Sequence, residues 1–418
     1  MHGLGMKACS MRLRICCILV VFAVLAAAGC AAGPAATTAV PSSAQVLVSK
    51  SAGASPGPVS DSKEMASPVV ASSLAASQPQ VYVTAAQLLN ASNGAIVVKD
   101  CSAQSSCTFH VDVTSDGGAT WRRGSDFAVA GAEDSGSPSM EDPVVGLTMI
   151  TASDMFAYGA SVWHTSDAGA TWTQLSGAPA VDDIASSNGA VWAMVACPDL
   201  SRCASSIDTI SSGHLTPLPH QPGGLVGSNI REGTNAYAVL RDAGGVGALA
   251  VSHDDGTTWQ QRSLPQKYCT YSLGSAMTIT TAGLLYLVCA HGASAGGEQK
   301  DLFASDNGAV SWQHLAALEI EGYADAIIAA SPDILWRYGG RAPIFSSSDA
   351  GKTWHSELDD KVGDAAGPMT QAFAAANTNA LVFAFAIPPS PTFAGPWTIN
   401  EYRTTDAGAH WQTSPLQP

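Results

Sequence analysis

Aspartate, cysteine and arginine are the residues of this chain whose types and spacing could do chemistry. One aspartate stands at the same place in a repeated octapeptide, written TSDGGATW at residues 114–121 and TSDAGATW at residues 165–172. A positioned carboxylate can act as a general acid or base. A recurring aspartate is more typical of a turn, because its side chain accepts hydrogen bonds from nearby backbone N–H groups. We therefore interpret the octapeptide as a building element.

The octapeptide occurs six times, and one copy, ASDNGAVSW at residues 304–312, carries an extra residue before its tryptophan. The tryptophan spacings are 51, 87, 53, 42 and 57 residues, so the second spacing is long enough to hide another unit. The aspartate and tryptophan of the six copies are Asp116 and Trp121, Asp167 and Trp172, Asp254 and Trp259, Asp306 and Trp312, Asp349 and Trp354, and Asp406 and Trp411.

Two cysteine pairs locate the hidden unit. CSAQSSC at residues 101–107 and CPDLSRC at residues 197–203 have the same cysteine spacing. Nine residues after Cys107 comes the aspartate of the first octapeptide, and nine residues after Cys203 comes Ser212. Residues 210–217, ISSGHLTP, then align with the octapeptide but lack its aspartate and tryptophan. The chain therefore has seven units, one of them degenerate.

Each unit contains four short runs with strand-like composition, separated by turn residues. The sixth unit reads AIIAAS, ILWRYG, APIFSSS and TWHSEL. Four strands in about 48 residues, repeated seven times over residues 81–418, predict an all-β fold. The expected architecture is a seven-bladed β-propeller with four-stranded antiparallel blades. The sequence allows two ways to close the ring. Each unit forms one complete blade that ends on its own outer strand, or residues 81–83 add a strand to the last blade.

The octapeptide pattern S-x-D-x-G-x-T-W resembles the Asp-box, or BNR repeat, of sialidases, sortilin-type receptors and photosystem II assembly factors. The resemblance implies a structural turn on the outer part of each blade, away from the ligand site. In this chain the turn joins the third and fourth strands, where glycines such as Gly118 suit positive φ. The tryptophan then opens the fourth strand and faces a neighbouring sheet.

The end of the ring opposite these turns is the expected binding surface, and we call it the top face. Hairpins between second and third strands and the connections between blades gather there, including the long segments 241–247, 290–299 and 387–397. The candidate binding residues of this face are Arg241, Arg337, Arg341 and Trp397.

Six cysteines lie in the repeat region, an even number typical of disulfides in an exported protein. Their spacing pairs Cys101 with Cys107 and Cys197 with Cys203. Cys269 and Cys289 are left as a third pair, across the first two strands of the fifth unit.

The N-terminus has the pattern of a secretory signal: basic residues, then an apolar run at residues 15–28 that is too short to span a bilayer. Residues 25–30, LAAAGC, resemble the lipobox of bacterial lipoproteins, although Ala27 stands where that family prefers leucine. The resemblance implies lipid attachment at Cys30, with residues 1–30 as the signal and 31–80 as an Ala/Ser/Pro-rich tether. We expect export to the bacterial cell envelope, with a membrane contact through the lipid only. The alternative is cleavage and secretion.

Composition narrows the function. A net charge of −15 with no basic cluster argues against nucleic-acid binding. No histidine or cysteine spacing indicates a metal, and no cofactor motif is present. We expect a monomeric, non-catalytic module that holds a protein or glycan partner at the top face. The alternative is a carbohydrate-active enzyme. A xyloglucanase-like enzyme would use the carboxylate pair Asp182–Asp183 or Asp359–Asp360. Resemblance to sialidases implies instead a clamp of three arginines around a substrate carboxylate, drawn from Arg231, Arg241, Arg337 and Arg341.

Overall fold

The computed structural model describes residues 80–101, 107–127, 129, 144–196, 205–242, 245–265, 269, 276–294, 297–318, 326–338, 344–358, 370–385 and 398–416. The signal, Cys30 and the tether up to residue 79 lie outside the described residues. Every described sheet has four antiparallel strands in consecutive chain order, and there are seven such sheets. The predicted seven-bladed β-propeller is confirmed.

The first four blades are built as follows. Blade 1 contains β1 (Gln80–Leu88), β2 (Gly94–Cys101), β3 (Cys107–Thr114) and β4 (Arg122–Arg123). Blade 2 contains β5 (Val144–Met149), β6 (Met155–Gly159), β7 (Trp163–Thr165) and β8 (Thr173–Gln174). Blade 3 contains β9 (Val181–Ser187), β10 (Ala190–Val195), β11 (Ser206–Ser211) and β12 (His214–Pro217). Blade 4 contains β13 (Leu225–Glu232), β14 (Asn235–Asp242), β15 (Gly245–Ser252) and β16 (Gln260–Arg262).

The remaining three blades follow the same plan. Blade 5 contains β17 (Ala276–Ile279), β18 (Leu285–Ser294), β19 (Gly297–Ser305) and β20 (Gln313–Leu318). Blade 6 contains β21 (Ala326–Ala329), β22 (Leu335–Tyr338), β23 (Ile344–Ser347) and β24 (His355–Glu357). Blade 7 contains β25 (Thr370–Ala376), β26 (Asn379–Phe385), β27 (Ile399–Thr404) and β28 (Gln412–Pro415).

Two predicted long loops are wrong. In the segment 241–247, Arg241 pairs with Val246 and Asp242 pairs with Gly245, so β14 and β15 continue into it. In the segment 290–299, Ala290 pairs with Lys300 and Ser294 pairs with Gly297, so β18 and β19 continue into it. The glycines of this segment permit extended backbone, and the register shift between Ala290 and Gly292 accommodates the extra residue. The segment therefore extends blade 5 instead of lying over the ring.

The apolar core is divided among the seams, by which we mean the contacts between neighbouring blades. The described residues form seven clusters of buried side chains, and each cluster draws its members from two adjacent blades. One of them joins Tyr82 and Ile96 of blade 1 to Leu381 and Phe383 of blade 7, so the ring is closed. A four-stranded blade buries both faces only when two neighbours cover it, which makes the ring the stable form.

Among the described residues, the first and last blades meet through packing and side-chain hydrogen bonds, and no strand of one joins the sheet of the other. Val83 pairs with Val98 inside blade 1, so residues 81–83 do not add to the last blade. Gln371 Oε1 of blade 7 accepts the backbone N–H of Val83 at 2.8 Å. Asn379 Nδ2 donates to the carbonyl oxygen of Ala91 at 2.6 Å.

Candidate functional site

The octapeptide forms a closed hydrogen-bonded turn between the third and fourth strands. In blade 1, Thr120 donates its backbone N–H to Asp116 Oδ1 at 2.9 Å and its hydroxyl to Oδ2 at 2.7 Å. The hydroxyl of Thr114 donates to Asp116 Oδ1 at 2.8 Å and accepts the N–H of Gly118 at 2.9 Å. We call this arrangement the box turn, and the end of the ring that carries it the box face.

These hydrogen bonds explain why the aspartates of the box turns have a lowered pKa. The bonds from Thr120 and from Thr114 lower the pKa of Asp116 to about 2. Turn hydrogen bonds lower the pKa of the matching residues Asp167, Asp349 and Asp406 to about 2 and that of Asp254 in the same direction. A carboxylate that stays ionised and saturated by its own turn is suited to structure and poorly suited to proton transfer.

The fifth blade corrects the predicted alignment. Asn307, not Asp306, holds the central place: its Oδ1 accepts the hydroxyl of Ser305 at 3.0 Å and the N–H of Ser311 at 3.0 Å. Ala309 then replaces Gly118, and it donates its N–H to Ser305 Oγ at 2.9 Å with φ at 64°. This copy therefore has no inserted residue. A carboxamide oxygen accepts the same bonds as a carboxylate, which is why the aspartate next to it was misread.

Blade 3 shows what the degenerate unit became. Ser211 pairs with His214, so β11 and β12 are joined by the two residues Ser212 and Gly213. Both have positive φ, 50° and 77°, as a tight type I′ hairpin requires. The hidden unit predicted at residues 210–217 is therefore present, with a short hairpin in place of the box turn.

Each box tryptophan lies half-buried against the preceding blade in the ring. Trp121 of blade 1 meets Phe383 of blade 7 edge-on, with ring centroids 6.0 Å apart. Trp259 of blade 4 lies 6.2 Å from Trp192 of blade 3 and donates its indole N–H to the carbonyl oxygen of His220, in the connection between these blades. The other four, Trp172, Trp312, Trp354 and Trp411, pack in the same sense. These residues stabilise seams and are not fully buried.

Two of the three predicted disulfides are confirmed. Cys101 and Cys107 pair directly across β2 and β3 and are bonded. Cys269 is bonded to Cys289, but it precedes β17, so the bridge ties the connection between blades 4 and 5 to the second strand of blade 5. Cys197 and Cys203 lie outside the described residues.

The predicted top-face residues are not brought together as one described site. Arg337 is 1% exposed, and its guanidinium lies 4.2 Å from the ring centroid of Phe345 and 5.6 Å from that of Trp354. This correction has a simple cause: the side chain points into the blade, where aromatic faces stabilise its charge. Of Arg241 only the backbone is described, near the end of β14. Arg341 and Trp397 lie outside the described residues.

The carboxylates and arginines that the two enzyme alternatives need do not form a catalytic arrangement among the described residues. Asp182 and Asp183 lie inside β9, and adjacent residues of a strand point to opposite faces. Arg231 is 6% exposed: its guanidinium stacks over Trp192 at 3.9 Å and pairs with Asp255. Neither arrangement offers paired carboxylates or an arginine clamp. Asp359 and Asp360 lie outside the described residues.

A central channel is one of the concave features that the described residues form. A cavity of about 500 Å³ lies among the first strands of six blades. Polar side chains of these strands reach the backbone of the next blade: Gln87 Oε1 accepts the N–H of Met149 at 2.6 Å, and Thr148 donates to the carbonyl oxygen of Ile184 at 2.8 Å. Such bonds satisfy part of the open edge that an inner strand presents to the channel. Sequence reasoning missed this lining, because no local pattern shows which residues face the axis.

Metal-ligand groupings and membrane-spanning helices are both absent from the described residues. Among these residues, no three side chains of His, Cys, Asp or Glu are grouped so that they could hold a metal ion. None of the described residues forms a helix with the length and apolar character to cross a membrane.

The seven four-stranded sheets define the chain as a seven-bladed β-propeller. No family model and no curated protein matches the sequence. Similar solved structures include YCF48 bound to a D1 peptide, at 15% identity and a TM-score of 0.49, covering 73% of this chain and 91% of that one. YCF48 from Cyanidioschyzon merolae has 14% identity and a TM-score of 0.44, covering 64% and 84%. The computationally designed Ika8 protein has 13% identity and a TM-score of 0.43, covering 81% and 86%. We draw no function from likeness at this level.

Proposed function

We propose that this chain is an Asp-box propeller lipoprotein of the bacterial cell envelope that binds a protein or glycan partner through its top face. The single observation that carries the proposal is the state of the repeated carboxylates. Asp116 and its counterparts are held by their own turns, so the most repeated reactive group of the chain is structural. The repeated units form a rigid ring, and a rigid scaffold of this kind positions its loops to bind a partner.

The top face has the features of a preformed binding surface. The Cys101–Cys107 bridge closes the β2–β3 hairpin, and the Cys269–Cys289 bridge fixes a connection between blades on the same end of the ring. Both reduce the conformational entropy that a loop would lose on binding. The chain also enters β1 from this end, so a lipid tether would join the ring on the side of the proposed partner.

Site-specific crosslinking tests the face. Thr108 is exposed at the top end of β3, and Ala119 is exposed on the box turn of the same blade. A photoreactive residue at position 108 should crosslink a discrete partner in intact cells, and the same residue at position 119 should not. Crosslinking from position 119 alone would contradict the proposal. Turnover of sialosides or β-glucans by the purified chain would favour the enzyme alternative instead.

Localisation has a separate test. We expect the Cys30→Ser variant to leave the membrane fraction, because the apolar run before it is too short to span a bilayer. Metabolic labelling with a fatty-acid analogue should mark the wild type and not the variant. Membrane retention of the variant would show that the lipid is not the anchor.

A further inference from the structure

One of the seven seams has no tryptophan among its described residues. The clusters at the other six seams each contain a box tryptophan, namely Trp121, Trp172, Trp259, Trp312, Trp354 and Trp411. The cluster between blades 2 and 3 consists of aliphatic side chains around Phe156 and Tyr158. Blade 3 contributes Ile210 and Leu215 from its outer two strands, and both are only partly buried. This difference follows from the degenerate unit, which has a short hairpin where the box turn would be.

The strand registers show which contact is missing. Phe156 of blade 2 and Trp336 of blade 6 hold equivalent positions, because each follows the second-strand residue that pairs with the first residue of the box turn. Trp411, the box tryptophan of blade 7, meets Trp336 edge-on with ring centroids 6.0 Å apart. Phe156 is stacked instead on His164 of its own blade, at 4.5 Å. Among the described residues, blade 3 brings no aromatic ring to Phe156.

The turns also differ in how closely they approach the preceding blade. A Cβ on Gly118 of blade 1 would lie 2.7 Å from Leu381 of blade 7, and one on Gly256 of blade 4 would lie 2.8 Å from Trp192 of blade 3. A Cβ on Gly213, in the hairpin of blade 3, would have no described atom within 4 Å. These box turns are therefore pressed against the neighbouring blade, whereas the hairpin of blade 3 stands clear of blade 2.

The same seam is held together at its channel end. Thr148 of blade 2 donates its hydroxyl to the carbonyl oxygen of Ile184 in blade 3 at 2.8 Å. Tyr158 of blade 2 forms a side-chain hydrogen bond with Asp183 of blade 3. Thr148, Asp183 and Ile184 all line the central channel. The seam is thus fixed near the axis and lacks the usual packing at its outer end on the box face.

We propose that the ring opens first between blades 2 and 3, by a rotation about the channel end of this seam that separates the two blades at the box face. A region with fewer buried apolar contacts opens at a lower free energy than the whole molecule unfolds. An indole offers a larger apolar surface than a leucine side chain, so the six other seams resist this motion better. Every four-stranded sheet stays intact during the opening. The motion goes beyond the partner binding proposed for the top face, so either can fail without the other.

Chemical labelling of a buried cysteine measures the opening. Ala157, Ala193 and Ala238 are matched positions: each lies in a second strand, has no exposed surface and faces the preceding blade. Each is changed singly to cysteine in the purified full-length chain with its native disulfides kept, and modification by iodoacetamide is followed by peptide mass spectrometry. We expect Ala193→Cys to react at least tenfold faster than Ala157→Cys and Ala238→Cys. A rate that does not change in low urea distinguishes local opening from global unfolding.

Two further changes test whether the missing indole is the cause. Leu215→Trp places an indole at this seam and should slow the labelling of Ala193→Cys at least fivefold. Thr216→Trp is the matched control on the exposed side of the same strand, and it should leave that rate within twofold. Trp172→Leu removes the indole from the seam between blades 1 and 2, and it should raise the rate of Ala157→Cys towards that of Ala193→Cys.

Thermal unfolding of each variant shows whether it is folded. If Ala193→Cys does not fold, Val162→Cys replaces it, because Val162 is a fully buried member of the same cluster. The proposal is overturned if the cysteines at the three seams react at the same rate, if the cysteine between blades 2 and 3 is not the fastest, or if Leu215→Trp and Thr216→Trp have the same effect.

Discussion

The indole nitrogen of Trp121 donates to Glu401 Oε2 at 2.8 Å, and so joins the first blade to the last. The two residues are 280 positions apart in the chain. Glu401 is 4% exposed, and its other carboxyl oxygen, Oε1, has no partner among the described residues. This contact places a titratable group inside the seam that closes the ring.

Trp121→Ala should destabilise the ring more than removal of the hydrogen bond alone. Trp121 is half-buried, so we expect a loss of ~2–3 kcal/mol, below the ~3–5 kcal/mol typical of a fully buried tryptophan. Trp121→Phe keeps aromatic contact with Phe383 and loses only the indole N–H, at a cost of ~1 kcal/mol. Urea unfolding measures both, and equal losses would show that packing on blade 7 contributes little.

Glu401 should make stability depend on pH. Burial, the largest cause, raises the pKa of this carboxyl from 4.5 to about 7. A raised carboxyl pKa means that the favourable neutral form is fully present below pH 4.5 and is lost as the pH rises through 7. Glu401→Gln retains an acceptor for Trp121 and cannot ionise, so above pH 7 it should exceed the wild type by up to ~3 kcal/mol. Unfolding at pH 5 and pH 8.5 tests this, and parallel profiles for the two proteins would exclude Glu401 as the source.

Asp112 and His110 form a buried pair in blade 1 whose titrations oppose each other. Burial raises the pKa of Asp112 from 3.8 to about 6 and lowers that of His110 from 6.5 to about 4. The aspartate destabilises the fold as the pH rises through 6, whereas the histidine destabilises it as the pH falls from 6.5 towards 4. Asp112→Asn should therefore gain ~2 kcal/mol at pH 7.5 and little at pH 4. A gain of the same size at both pH values would point to packing instead of charge.

The contribution of the box turn to stability can be measured in blade 1 and compared with that in blade 5, where the central residue is Asn307. Asp116→Ala removes the acceptor for both groups of Thr120 and should cost ~1–2 kcal/mol. Asn307→Ala should cost a similar amount in blade 5, where Asn307 has the equivalent role. Asp306→Ala is the matched control and should change stability by less than ~0.5 kcal/mol. A large loss from Asp306→Ala would restore the alignment that the sequence alone favoured.

Asp255 should stabilise the seam between blades 3 and 4 through Arg231. Its side chain is half exposed and the Arg231 side chain is 1% exposed, so removal of the carboxylate leaves a buried cation without its counter-charge. Asp255→Ala should cost ~2 kcal/mol, less than for a fully buried pair because water screens the aspartate. Backbone strain will not confuse the result, since alanine already occupies the equivalent positive-φ position at Ala168, Ala350 and Ala407. An unchanged melting temperature would mean that the stack on Trp192 suffices for Arg231.

The sequence by itself determined the seven units, the position of the turn between third and fourth strands, and two of the disulfide pairs, although it placed the centre of the blade 5 turn one residue early. These features depend on short-range physics: the bonds of Asp116 close within four residues, and Cys101 faces Cys107 across one hairpin. A regular period of such local signals also located the degenerate unit around Ser212, because a ring needs a blade wherever the spacing leaves a gap.

Only the tertiary structure decided which side chains face a seam, a blade interior or the axis. Arg337 was predicted at the binding face and lies under aromatic rings, and Gln371 carried no signal although it bonds blade 7 to blade 1. Burial and charge state depend on residues that come from the next blade, and for the closing seam from the other end of the chain. No local pattern in the sequence encodes those neighbours, so the contacts at the seams and the lining of the central channel become visible only when the ring is assembled.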